Sequence, residues 1–176
     1  MYWILVRTLN ISGILLSYLA APALLAIGEL FGASATLLWL PSGRLLPPLH
    51  DNPPLARGVA EFWGRRWNLW FSDWFRHAIF ARLPGRPVFA LFLVFFVSGL
   101  MHEWVINFPL YLVTGKKYFG SMMLYFLLQA AGVVMERRFL RKMTGAKIVF
   151  TWLIVLGPAP LIVNEGLLRA LHLWPA

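Results

Sequence analysis

The chain has 176 residues, of which 60% are hydrophobic and 13% charged, with a formal net charge of +9. Soluble domains are about half apolar and about a quarter charged, so this composition excludes an ordinary soluble globule and indicates an integral membrane protein. Cysteine is absent, which excludes disulfides, thiolate metal sites and a cysteine nucleophile.

The positive charge is unevenly spread. Seven Arg fall between Arg44 and Arg86, and five basic residues lie between Arg137 and Lys147. Such clusters beside apolar spans mark cytoplasmic loops that meet anionic headgroups. Nucleic acid is not an expected partner, because the charges punctuate hydrophobic runs rather than forming a soluble basic face. The first apolar run is too long, and lacks the charged leader, for a cleavable signal peptide.

In chain order, Ile4 to Leu40 is almost continuously apolar, broken by Arg7 and Glu29. A crossing needs about 20 residues. One span is expected over roughly Thr8 to Ile27, with Gly28 to Leu40 left as a short re-entrant or interfacial piece. Pro41 to Pro54 holds two Pro-Pro pairs and is expected to be a loop.

From Glu61 to His77 the polar residues Glu61, Arg65, Asn68, Ser72 and Arg76 recur at spacings of 4, 3, 4 and 4. Aromatic residues fill most of the rest of this stretch, the pattern of one amphipathic helix lying in the membrane plane. Arg82 to Pro87 is a turn. A span is expected from about Val88 to Ile106, closed by Asn107-Phe108-Pro109 because the residue before proline disfavours helix. Gly115-Lys116-Lys117 is a short loop, Tyr118 to Met135 the next span, and Glu136 to Lys147 a basic loop. Ile148 to Val163 is the last span, broken by Gly157-Pro158-Ala159-Pro160, and Asn164 to Ala176 a short interfacial helix. The expected fold is all-α: a polytopic membrane bundle of about four spans with one in-plane amphipathic helix. Cytoplasmic basic loops would put both termini on the far side.

His102 stands about fifteen residues into its span, roughly 20 Å along the helix axis. An ionisable residue in lipid is costly and marks a functional site by default. A neutral imidazole near its reference pKa of about 6.5 suits removal of a hydroxyl proton. The plain alternative is a buried histidine bonded to a neighbouring helix. Glu103 lies about 100° further round the helix and turns away from His102. Ser98 and Gly99, one turn before, allow close helix approach or leave room for substrate. With His at 50, 77, 102 and 172 and none paired at helical spacing, a metal site is not expected. Asn68 has an amide suited to orienting a substrate or stabilising an oxyanion, or is simply a polar-face residue. Arg65 and Arg66 suit phosphates of a nucleotide-bearing donor or lipid headgroups. Arg137 and Arg138 follow a span end and read as membrane anchors.

Together, Phe62-Trp63-Gly64-Arg65-Arg66-Trp67-Asn68-Leu69 and Phe96-Val97-Ser98-Gly99-Leu100-Met101-His102-Glu103 resemble the wax synthase branch of the membrane-bound O-acyltransferase family. The resemblance extends over roughly Pro53 to Lys142. It divides a single membrane domain into residues 1–52 (N-terminal span and Pro-rich loop), 53–145 (wax synthase-like core) and 146–176 (C-terminal span and tail).

The resemblance implies transfer of a fatty acyl group from acyl-CoA, as co-substrate and with no cofactor, to a lipid alcohol. It makes His102 the catalytic base and Asn68 its partner, with Arg65, Arg66, Trp67 and Ser98 as substrate-binding candidates. Members of that family are longer and carry more spans. A homo-oligomer or completing subunit is therefore a possible partner, and a non-catalytic scaffold the alternative function. A small transporter has only the Gly-Pro-Ala-Pro break in its favour. The acceptor and acyl length stay open. The compartment would be the endoplasmic reticulum in a eukaryote or the inner membrane in a bacterium.

Overall fold

A computed structural model describes residues 13–171. The start of the first span at Thr8 and the tail from His172 lie outside them. Every regular element among the described residues is helical.

Helix α1 runs Gly13–Trp39 without interruption, through Pro22. The expected division at Ile27 is therefore corrected: Gly28 to Leu40 continues the first span rather than forming a separate re-entrant piece. Nothing in Gly28 to Trp39 breaks a helix, and Glu29, the one carboxylate within it, pairs with His50 at 3.0 Å. Pro41 to Pro54 is the expected connector. It is tied down, with the His50 ring 4.6 Å from that of Trp67 and Trp70 donating Nε1–H to the Pro47 carbonyl.

The next segment departs from its pattern. Helix α2, Val59–Glu61, passes into a π-helical turn over Phe62–Arg66, and the chain then breaks at Trp67 and Asn68. Helix α3 starts afresh at Leu69 and runs to Ala78. The single amphipathic helix over Glu61 to His77 is thus two pieces. The cause is local: Asn68 takes φ +45°, and its Oδ1 accepts from the Phe71 N–H to cap α3. The connector holds the break open, since Leu69 N–H donates to Leu49 and Asp51 N–H to the Arg66 carbonyl.

Helix α4, Pro87–His102, continues through a second π-helical turn, Glu103–Asn107, into α5, Phe108–Thr114. Pro109 does not close this span, in contrast to the sequence expectation. It sits in the first turn of α5, where a missing N–H costs little, and the wide π turn absorbs the mismatch. Helix α6 spans Ser121–Phe139 and α7 spans Thr144–Leu156, so Lys147 lies inside a helix rather than in the basic loop. The Gly157-Pro158 break is present, followed by α8, Ala159–Ile162, and α9, Glu165–Ala170.

Among the described residues, three stretches are long and apolar enough to cross a membrane: Gly13–Ser42, Pro87–Thr114 and Thr144–Ile162. Helix α6 carries Glu136, Arg137 and Arg138 in its last turns and is not one of them.

The core that positions the site lies between α4 and α6. Val59, Leu91, Phe95, Tyr125, Phe126, Ala130 and Val133 pack together, with Trp63 against them. Glycine sets the spacing. A Cβ on Gly99 would stand 3.0 Å from the Met123 Cα, and one on Gly132 would stand 2.6 Å from Ile154 Cγ2. Gly99 therefore serves close approach of α4 and α6. Since lipid is as apolar as these side chains, such tight contacts hold the helices together by packing.

Candidate active site

His102 ends α4, with its ring 4.5 Å from that of Phe126 on α6. Its Nδ1 lies 2.7 Å from the carbonyl oxygen of Ser98, one turn back. A carbonyl oxygen only accepts, so Nδ1 carries the hydrogen and the neutral ring keeps its lone pair on Nε2. His102 is thus bonded within its own helix, not to a neighbouring one. Nε2 makes no hydrogen bond among the described residues and is not sealed from its surroundings. Ser98 contributes its carbonyl, which fixes the tautomer.

Glu103 turns away from His102, as its place on the helix requires. Its buried carboxylate accepts from the Gly120 and Met123 N–H groups through Oε1 and from Asn107 Nδ2 through Oε2. Asn107, wholly buried, also donates to the Tyr118 carbonyl and accepts from Asn164. This network fastens the second π turn to the chain entering α6, directly after His102. A wide turn so placed leaves backbone groups that these polar side chains help to hold.

The first motif is held as firmly. Trp63 donates Nε1–H to Gln129 Oε1 at 3.2 Å, and Gln129 Nε2 donates to the Ile154 carbonyl. The Glu136 carboxylate accepts from the backbone N–H groups of Val59 and Ala60 and pairs with Lys147 at 3.2 Å. Sequence reasoning did not reach Gln129 or Glu136. The available signal was an amide in the middle of an apolar span and a carboxylate at its end, each needing a partner.

The two arginines differ. Arg66 donates Nε–H to Glu61 at 2.6 Å and Nη1–H to the Asp51 carbonyl, which commits most of its guanidinium to folding this segment. Arg65 is exposed and has no ion pair among the described residues. Burial alone would raise the Glu61 carboxyl. The Arg66 hydrogen bond, the Arg57 N–H and the charges of Arg66 and Lys147 outweigh it and hold the group below its usual range.

Trp67 stacks on Phe62 with ring centroids 5.6 Å apart and planes 15° apart. Asn68 makes no hydrogen bond to His102, and its Nδ2 has no partner among the described residues. The two are joined instead by rings: His102 to Phe126, Phe126 to Trp63 at 5.8 Å, and Trp63 to Trp67 at 6.4 Å, beside Asn68. The π turns among the described residues are the two at Phe62–Arg66 and Glu103–Asn107, one in the first motif and one immediately after His102. π turns concentrate at functional sites.

This paired geometry coincides with a family match. Residues 46–128 match the model of the membrane bound O-acyl transferase family. The chain is similar to that family over its two motifs. It is 32% identical over 116 residues to "Probable long-chain-alcohol O-fatty-acyltransferase 8" of Arabidopsis thaliana, covering 60% of this chain and 33% of that protein. It is 37% identical over 81 residues to "Long-chain-alcohol O-fatty-acyltransferase" of Simmondsia chinensis, covering 40% and 23%. It is 32% identical over 91 residues to "Acyl-CoA--sterol O-acyltransferase 1" of Arabidopsis thaliana, covering 46% and 26%. The chain spans about a third or less of the length of these relatives. No solved structure matches. The similarity to that membrane bound family, with the three long apolar helices among the described residues, makes this an integral membrane protein.

Proposed function

We propose that this chain is an acyl-CoA-dependent O-acyltransferase that esterifies a fatty alcohol or another lipophilic hydroxyl. The observation that carries the reading is the lone pair on His102 Nε2, fixed by the Nδ1–H bond to Ser98 within the family-matched segment. Nε2 takes the proton from the acceptor hydroxyl as its oxygen attacks the thioester carbonyl. The free Nδ2 of Asn68 donates to the developing oxyanion or orients a reactant. As the tetrahedral centre collapses, the C–S bond breaks and the protonated His102 returns its proton to the departing CoA thiolate. The products are an ester and free CoA, and no covalent enzyme intermediate is needed.

Arg65, with the remaining N–H groups of Arg66, holds donor phosphates, while Trp67 and Ser98 line the path of the acyl chain. Helix α6 forms a fourth crossing with Glu136 to Arg138 at headgroup height, and α3 lies in the membrane plane as the amphipathic element. The membrane is the endoplasmic reticulum in a eukaryotic host or the inner membrane in a bacterial one. Relatives named for acyl transfer to long-chain alcohols and to a sterol support a lipophilic acceptor.

The test is esterification of a long-chain alcohol by the purified chain in detergent, with acyl-CoA as donor and product followed by mass. Ester formation supports the enzyme. Its absence with every donor and acceptor, together with stable association to a second membrane protein, would favour a partner subunit that keeps only the acyltransferase core.

A further inference from the structure

Helices α6 and α7 meet at a short turn, and beside it lies a cavity of about 310 Å³ lined by Glu136, Arg137, Arg141 and Lys147. Three cations against one carboxylate give the lining a net charge of 3 − 1 = +2. The carboxylate is already engaged, with Val59, Ala60 and the Lys147 Nζ. Neither Arg137 nor Arg141 has a carboxylate partner among the described residues.

A membrane anchor alone does not require convergence on a cavity. Arg138, the neighbouring cation, shows the contrast: it lies over the Phe139 ring at 5.8 Å and does not line the space. Two guanidinium forks and an ammonium match a phosphoryl group, whose oxygens accept paired N–H bonds and whose charge balances the lining. The volume falls at the lower end of small-ligand sites, larger than a bare phosphate needs.

We propose that this cavity binds a phosphoryl group, held by Arg137 and Arg141 with Lys147 as the third cation. The phosphoryl group comes either from the nucleotide part of a thioester donor or from the headgroup of an anionic lipid. Glu136 joins the cavity to the Val59 end of the first motif, so occupancy by a donor would place its phosphates beside the segment bearing Asn68. The donor source rests on the acyl-transfer reading; the phosphoryl site does not.

The test is calorimetric titration of the purified full chain in neutral detergent with coenzyme A, and separately with dihexanoyl phosphatidic acid. The variants are the double Arg137→Gln/Arg141→Gln and the control Arg138→Gln. At least one ligand should bind the wild type. The double variant should weaken it by about tenfold or more, while the control stays within about twofold. Coenzyme A binding identifies the donor source, and phosphatidic acid binding alone identifies the lipid source. Should the double variant not fold, Arg141→Gln alone, in the exposed turn, should weaken binding about threefold or more. No binding of either ligand, or equal binding by all variants, would overturn the site. Because binding is read without turnover, an inactive His102→Ala chain should still bind, which separates failure of this site from failure of the catalytic reading.

Discussion

Glu136, near the end of α6, accepts a hydrogen bond from the backbone N–H of Val59, at the start of the segment that carries Trp63 to Asn68. One buried carboxylate thereby anchors the first motif to the helix that faces His102.

Replacing it should loosen that segment. Glu136→Ala leaves the Val59 and Ala60 N–H groups and the Lys147 ammonium without their partner, at a cost of about 1–3 kcal/mol. Glu136→Gln keeps an acceptor oxygen and should lose less. Thermal unfolding in detergent, followed by circular dichroism, checks the order wild type, Gln, Ala.

Two glycines give opposite expectations. Gly99→Val puts a side chain against the Met123 backbone and should destabilise by about 1–3 kcal/mol. Gly145, in α7, has open space where a Cβ would stand, so Gly145→Ala should be neutral or stabilise by up to about 1 kcal/mol. The same thermal measurement separates them.

Asn68 combines two roles that one substitution can part. Asp caps helices as well as Asn and tolerates a left-handed backbone, so Asn68→Asp should keep the thermal midpoint. It removes the amide donor, and acyl transfer should fall by about a hundredfold. Asn68→Ala should lose about 1 kcal/mol of stability as well. Full turnover in the Asp variant would confine Asn68 to the cap.

The Glu61–Arg66 pair predicts a pH effect. The folded Glu61 carboxyl lies below its ordinary value of 4.5, so the ionised form favours the folded state. That contribution is full above the unfolded value and is lost as pH falls from about 4.5 through the lower folded one. Thermal midpoints of wild type and Glu61→Gln should therefore converge as pH drops from 6 to 3. Glu61 is partly exposed, so solvent screening keeps the difference small.

Much of this arrangement was legible in the sequence. The apolar run ending at His102, the turn before Pro87 and the Gly157-Pro158 break follow from hydropathy and proline chemistry alone. So does the turn of Glu103 away from His102, from the angle between successive helical residues. What the sequence left hidden depends on tertiary partners. Asn68 sits in step with a helical stripe, and only the connector strapping Leu49 and Asp51 to its neighbours shows that the helix breaks there. Pro109 looks like a terminus because a π turn, fastened by Glu103 and Asn107, is invisible to a 3.6-residue periodicity. The length a crossing needs ends the first span at Ile27, whereas the helix runs on to Trp39 and Glu29 within it is met by His50, 21 residues away. The tautomer of His102 follows from the Ser98 carbonyl, which no residue pattern specifies.

The most direct measurement is the initial rate of ester formation by wild type and His102→Ala, with thermal midpoints and coenzyme A binding recorded on the same samples. The account predicts a loss of at least about a hundredfold in rate with folding and binding retained. A variant that forms ester within about twofold of the wild-type rate would contradict it.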